Sequence, residues 1–331
     1  MKALINNPQD VVNEVLEGFA RANADLVTLH KDPIWVGRAN PRKGVAVVSG
    51  GGSGHEPLHA GFIGDGMLDA AVPGAMFTSP TPDAILAAIE GADNGEGVLC
   101  IVKNYTGDVL NFEMAAELAE DGGHDVRTVL VQDDVAVEDS TWTAGRRGVA
   151  GTVFVEKIAG AVSAAGGSLD EVTAAAQAMS DSIRSMGLAL RGCTLPHVGE
   201  PGFALNDDEV EMGVGIHGEP GRDRVAMASA DELTDTLVDA ILADKELAAG
   251  DEVIVLVNGM GGTPGYQLDI VFRRVAQRLD EAELVIARSL VGNYVTSLDM
   301  EGVSVTIAKV DQAMLDQWDA PVHTPALRKG C

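Results

Sequence analysis

Cysteine, lysine and long apolar runs are all scarce in this sequence, and each scarcity excludes something. The three cysteines, Cys100, Cys193 and Cys331, show no CxxC spacing and no metal-ligand pattern. That argues against a disulfide scaffold or a cysteine-based zinc site and fits reduced thiols in a cytosol. Cys100 lies within an apolar strand pattern and reads as core. No apolar run approaches the roughly 20 residues of a membrane-spanning helix. The start, Met1–Pro8, lacks the apolar stretch of a secretory signal. The expectation is a cytoplasmic protein with no membrane partner.

Positive charge is the other shortage. Lys and Arg number 23 against 50 Asp and Glu, a net charge of −27, and only 8 of the 23 are lysine. With no basic stripe, nucleic acid is excluded as a partner. The acidic residues are dispersed rather than clustered. They read as a solvated surface suited to a halophilic, high-salt interior, where salt screens self-repulsion. Internal repeats and low-complexity segments are absent, and 331 residues suffice for two domains of ordinary size.

What is present alternates helix and strand patterns. Asn7-Pro8 opens a helix running to about Ala22, with Pro at its first position. Val45–Val48 is a short β-rich run that stops at the glycines of Gly50–His55. Thr81-Pro82 starts a helix, Val98–Val102 is a buried strand, Val109–Glu120 a helix and Val126–Val131 a strand. Thr152–Met186 is Ala-rich and reads as helical. After Gly187 the texture turns Gly- and Pro-rich. The second half then gives helices at Ala230–Ala243 and Pro264–Leu279, strands at Val253–Val257, Leu284–Ala287 and Val303–Ile307, and a last short helix at Asp311–Trp318. Short apolar strands separated by helices predict an α/β fold. Two domains follow, 1–187 and 188–331, each a largely parallel or mixed sheet flanked by helices, with the last helix returning to the first domain.

Four segments can carry chemistry. Gly50–His55 follows a strand, and ligands of open α/β sheets collect at the carboxyl ends of strands. Closely spaced glycines let backbone N–H groups approach a ligand oxygen. The loop lacks the Lys-Ser/Thr ending of a P-loop, and the third glycine of a dinucleotide fingerprint falls on His55. A small polar ligand and a plain structural turn both fit. Lys103 and Asp108 end the next apolar strand. Asp108 is a candidate base and also a candidate cap for the helix that follows, while Lys103 can donate to a ligand hydroxyl. His217 lies in Gly215-Ile216-His217-Gly218-Glu219-Pro220-Gly221, where glycines strip away bulk and can present the imidazole as a nucleophile toward a small carbonyl compound. Asn258–Pro264 joins a strand to a helix, where a phosphate loop and a structural turn both fit and the structural turn is the preferred reading. His55-Glu56-Pro57-Leu58-His59 imitates a zinc HExxH motif, but Pro57 breaks the helix that motif needs. No metal ligands are assigned, and His197 receives no role.

These pieces together resemble the substrate-binding K subunit of the dihydroxyacetone kinase family. The matching segments are Gly50–Pro57 (GGGSGHEP), Lys103–Asp108 (KNYTGD), Gly145–Gly148 (GRRG), Cys193–Pro196 (CTLP), Gly215–Gly221 (GIHGEPG) and Asn258–Pro264 (NGMGGTP), in family order over nearly the whole chain. The resemblance implies two α/β domains and a homodimer. It implies that His217 joins the ketone carbon of dihydroxyacetone as a hemiaminal, that His55 and Asp108 move protons at its hydroxyl, and that Gly52, Ser53, Gly54, His55, Lys103, Asp108 and His217 contact it. No nucleotide domain follows the K region before Cys331. The resemblance therefore implies a separate L-type subunit carrying ADP or ATP with Mg2+, and an M-type phosphotransfer subunit where the nucleotide is ADP. The alternative within the same resemblance is a non-catalytic dihydroxyacetone sensor acting on a transcription regulator. Such a sensor needs His217 but neither His55 nor Asp108.

Overall fold

A computed structural model describes residues 2–137 and 144–331. The chain opens with α1 (Val11–Ala22), which starts three residues later than the Pro8 signal suggests. A hairpin follows, β1 (Val27–Lys31) and β2 (Ile34–Arg38). Then come β3 (Ala46–Ser53), β4 (Ala70–Met76), α2 (Pro82–Ala92), β5 (Val98–Lys103), α3 (Thr106–Asp121) and β6 (Val126–Val131). These strands form one sheet in the order β1-β2-β4-β3-β5-β6. Its β4, β3, β5 and β6 are mutually parallel, and the hairpin is antiparallel.

Two helices come next, α4 (Thr152–Ala164) and α5 (Leu169–Ser182). The expected single helix is broken by Gly166-Gly167, and Ser168 with Glu171 closes a capping box on α5. The second sheet is built from β7 (Ile183–Arg191), β8 (Glu209–Met212), β9 (Asp223–Ala226), β10 (Glu252–Gly259), β11 (Val285–Gly292) and β12 (Glu301–Val310), with α6 (Ala230–Asp244) and α7 (Gly265–Glu281) between them in sequence. Its order is β11-β10-β12-β7-β8-β9, mixed in direction. The chain ends with α8 (Gln312–Asp319) and a short hairpin, β13 (Val322–His323) and β14 (Arg328–Lys329). Residues 183–186 are strand, not helix as the Ala-rich texture suggested. A division at 187/188 would cut β7, which belongs as one piece to the second sheet.

Period-2 alternation explains the layers. In β5, Leu99 and Ile101 face one core while Val98, Cys100 and Val102 face another, closed by α2 and α3. In β10, Ile254 and Leu256 join the same core as Leu99, while Val253, Val255 and Val257 face a third, closed by α6 and α7. The shared core is filled by Val153, Phe154 and Ile158 of α4, Val172 and Met179 of α5, and Leu315 and Trp318 of α8. The two sheets are therefore held by a common apolar layer, and α8 packs on α4. Among the described residues no helix is long and apolar enough to cross a membrane.

Candidate active site

Two neighbouring parallel strands bring the first groups together. β3 and β5 pair in register through Gly50↔Val102. Their carboxyl ends deliver His55 on one side, and Lys103 with Asp108 on the other. β3 runs on through Ser53, so most of the expected glycine loop is strand. Asp108 sits in the first turn of α3, and Tyr105 holds the N-cap position. The third group comes from the second sheet, where the loop between β8 and β9 carries His217 across to this edge. The rings of His55 and His217 lie 4.8 Å apart.

Each histidine has its proton placed by a partner. His55 Nδ1 lies 2.7 Å from the carbonyl of Thr296. A carbonyl only accepts, so Nδ1 carries the proton and Nε2 keeps its lone pair. That Nε2 is buried with no hydrogen-bond partner among the described residues. Burial, and then the nearby His217 and Lys103, push the His55 imidazole well below its ordinary value, which keeps it neutral. The Thr296 segment is itself fixed: Thr296 N–H donates to His55 O, and Leu298 N–H donates to Gly54 O. Asn258 holds that segment from behind, accepting from the N–H groups of Tyr294 and Val295 and donating to Val295 O. The Asn258–Pro264 segment is thus a strand-to-helix turn that supports the site.

His217 Nδ1 lies 2.9 Å from Glu219 Oε1, and the His217 backbone N–H donates to Glu219 Oε2 at 2.9 Å. Burial would raise the Glu219 carboxyl. The bond and charge of His217, together with Arg147, outweigh it and bring the group down to about 2. The ionised Glu219 accepts from Nδ1–H, and in the neutral imidazole that tautomer puts the lone pair on Nε2. Arg147 is fully buried, bonded to Asp134 at 2.6 Å and to Gly213 O at 2.6 Å. Gly215 is required here, since a Cβ would run into both Glu219 Oε2 and Arg147 Nη1.

A cavity beside His217 and Asp108 measures about 570 Å³ and is lined by Gly52, Phe77, Tyr105, Asp108, His217 and Pro220, among others. Phe77 stacks on His55 at 5.0 Å, and Phe77 and Tyr105 meet His217 edge-on at 5.2 and 4.6 Å. Asp108 Oδ1 and the Tyr105 hydroxyl are buried and unpartnered among the described residues. Lys103 Nζ donates to Gly50 O at 3.2 Å and contacts His59 Nε2 at 2.8 Å. It stands 3.7 Å from Asp108 Oδ2, too far for a hydrogen bond. Ser53 and Gly54 are committed elsewhere: the Ser53 hydroxyl donates to Gly74 O, and the Gly54 N–H donates to the Glu56 carboxylate. These two hold the loop rather than offer free donors.

The chain has counterparts among known proteins. A model of the Dak1 domain matches residues 17–326. The chain belongs to the Dak1 domain family. The dihydroxyacetone-binding subunit of the PEP-dependent dihydroxyacetone kinase of Escherichia coli strain K12 is 50% identical over 356 aligned residues, covering 100% of both chains. Among solved structures, a dihydroxyacetone kinase operon co-activator is similar with a TM-score of 0.90 at 36% identity, over 96% of this chain and 98% of its own. The dihydroxyacetone kinase of C. freundii in its native form matches with a TM-score of 0.89 at 35% identity, over 99% of this chain and 60% of that one.

Several groups of this Dak1 site were not singled out from the sequence. Glu219 stands two residues from His217 and was within reach of a closer reading of the motif. Arg147 lies in the GRRG segment that the resemblance marks, but with no role attached, and Thr296 and Phe77 come from distant segments with no local signal. His59 does not share a ligand position with His55; it bonds to Glu156 and Lys103. No group of three or more metal-ligating side chains occurs among the described residues.

Proposed function

We propose that this protein is the dihydroxyacetone-binding subunit of a dihydroxyacetone kinase, and that it holds its ketone covalently on His217. One observation carries the reading: His217 and Asp108, whose Oδ1 has no partner among the described residues, line one cavity where the two sheets meet, and the His55 ring, with its buried Nε2 also unpartnered, stands 4.8 Å from that of His217.

His217 Nε2 bonds to the ketone carbon as the C=O π bond breaks. The Nδ1 proton leaves through Glu219, and the former carbonyl oxygen gains a proton, so the whole ketone adds and no water is lost. Glycerol has no electrophilic carbon and is rejected. The captured ketone has its terminal hydroxyl fixed in place, an advantage of positioning. Asp108 Oδ1 then takes the hydroxyl proton as oxygen attacks phosphorus, with His55 Nε2 as the second acceptor. Lys103 adds a positive charge beside Asp108, and Gly52, Ser53 and Gly54 form the loop around the ketone. The phosphoryl group would come from ATP held with Mg2+ by an L-type subunit, its bond to ADP breaking as the new one forms; the ADP would either be exchanged for fresh ATP or stay bound and be recharged by an M-type phosphotransfer protein. A homodimer in a salt-rich cytoplasm completes the reading.

A second reading, a dihydroxyacetone sensor, is favoured by the close fold match to a co-activator. Reconstitution separates the two. The purified chain with dihydroxyacetone gains the mass of one intact ketone. Adding an L-type partner with its phosphoryl donor yields dihydroxyacetone phosphate. Adduct without phosphorylation would leave the sensor, and no adduct would remove both.

A further inference from the structure

One cluster of buried titratable side chains lies behind the groups assigned to the ketone. His59 Nδ1 is 2.6 Å from Glu156 Oε1 and 3.0 Å from Ser49 Oγ, and its Nε2 is 2.8 Å from Lys103 Nζ. Glu156 is 0% exposed and Lys103 1%. Glu156 projects from α4, whose other buried residues are mostly apolar. A carboxylate so placed is costly unless an opposite charge answers it, and Lys103 is the cation that His59 links it to.

Counting donors fixes the protons. An ammonium has three N–H groups and no lone pair. Lys103 faces three acceptors: Gly50 O, His59 Nε2 and, at longer range, Asp108 Oδ2. His59 Nε2 must therefore be unprotonated, so Nδ1 carries the hydrogen and donates to Glu156. The backbone is thinned to admit the ammonium, for a Cβ on Gly51 would collide with Nζ.

We propose that Glu156, acting through the His59 imidazole, is a positioning residue that keeps Lys103 charged and aimed at Asp108. The inference rests on the assignment of Asp108 as the base. The groups facing Lys103 are Ser49 and the Gly50 carbonyl from β3, His55 and His59 from the segment after it, Asp108 from α3 and Glu156 from α4. Burial pulls the Lys103 ammonium below its ordinary range, and the charges of Asp108 and Glu156 hold it up. Burial raises Glu156 to about 8, with Lys103 and the Ser49 hydroxyl opposing it only in part, so its charge is in place in the alkaline range where Lys103 would lose its proton. Removing the Glu156 charge leaves Lys103 with one support instead of two, so it gives up its proton at lower pH.

The test is the pH profile of dihydroxyacetone phosphorylation with the L-type partner, from about pH 6 to about pH 10. In Glu156→Gln the alkaline limb moves down by about one pH unit, with the ketone adduct still formed below it. Glu156→Asp keeps the charge and recovers most of that shift. A Glu156→Gln profile superimposable on the wild type overturns the inference, as does Glu156→Asp moving the limb equally far. Should Glu156→Gln fail to fold, Ser49→Ala, which removes the hydroxyl beside His59, is expected to move the limb the same way by less, and an unmoved limb overturns it. A wild type that forms no adduct defeats the functional reading instead, so the two failures are distinct.

Discussion

The two sheets contribute to the cavity in opposite ways. The first supplies His55, Lys103 and Asp108 from the ends of parallel strands, each nearly or fully buried. The second supplies His217 from a hairpin loop, with 19% of its side chain still exposed and a carboxylate two residues away to hold it. On the proposed roles, the groups that handle protons sit where water is excluded and charges act strongly, and the group that meets a ketone arriving from solution sits at the rim. Under the proposed chemistry, capture and activation are separable, and each can be broken alone.

The sharpest break contrasts His217→Ala with Asp108→Asn. The first abolishes the ketone adduct in intact-protein mass spectrometry. The second keeps the adduct and loses about 10²–10⁴-fold in phosphorylation. Any surviving adduct in the first, or full turnover in the second, would erase the division. Glu219→Gln tests the rim more gently. It removes a charged hydrogen-bond partner from His217, worth roughly 1.5–3 kcal/mol, so adduct formation weakens by about 10- to 100-fold. An unchanged titration with dihydroxyacetone would show that Glu219 does not orient the ring.

Acid probes the buried side. Burial depresses both His55 and His59, so the folded protein refuses protons that the unfolded chain binds near pH 6.5. Stability is fully present above about pH 6.5 and falls below it by about 1.4 kcal/mol per pH unit for each histidine. Glu219 joins only in stronger acid. Its contribution is intact above about pH 4.5 and is lost as pH falls toward about 2. Denaturant midpoints measured between about pH 6.5 and about pH 5 should slope downward, and a level line would mean that the two histidines accept protons in the fold. The smallest effect concerns the whole surface. With a net charge of −27, the melting temperature should climb a few degrees from dilute buffer to molar salt, and a salt-independent value would remove the halophilic reading.

Much of this layout was legible because it follows strand ends. β5, α2 and α6 fall where apolar runs, and for α2 the Thr81-Pro82 start, put them, and His55 and Asp108 are close to the strand termini where ligands collect. Apolar texture failed where a strand is made of glycine: β3 continues through Gly50–Ser53, which offer nothing apolar to count. It failed again at Ile183, where α5 ends in an extended residue although the composition had not changed. The hairpin β8–β9 is short, and β9 is mostly exposed, so the loop carrying His217 gave no sign of its frame. The support of the site was the least visible part. Thr296 lies 241 residues from the His55 it bonds, and Glu156 lies 97 from His59. Only the packed fold joins such pairs.

The common apolar layer of α4, α5 and α8 decides when these pieces meet. A chain with one sheet formed and the other still loose has a bare imidazole or a buried acid, never both around one space. Under the proposed chemistry, reactivity toward carbonyl compounds is thus absent from any molecule whose two sheets have not packed together.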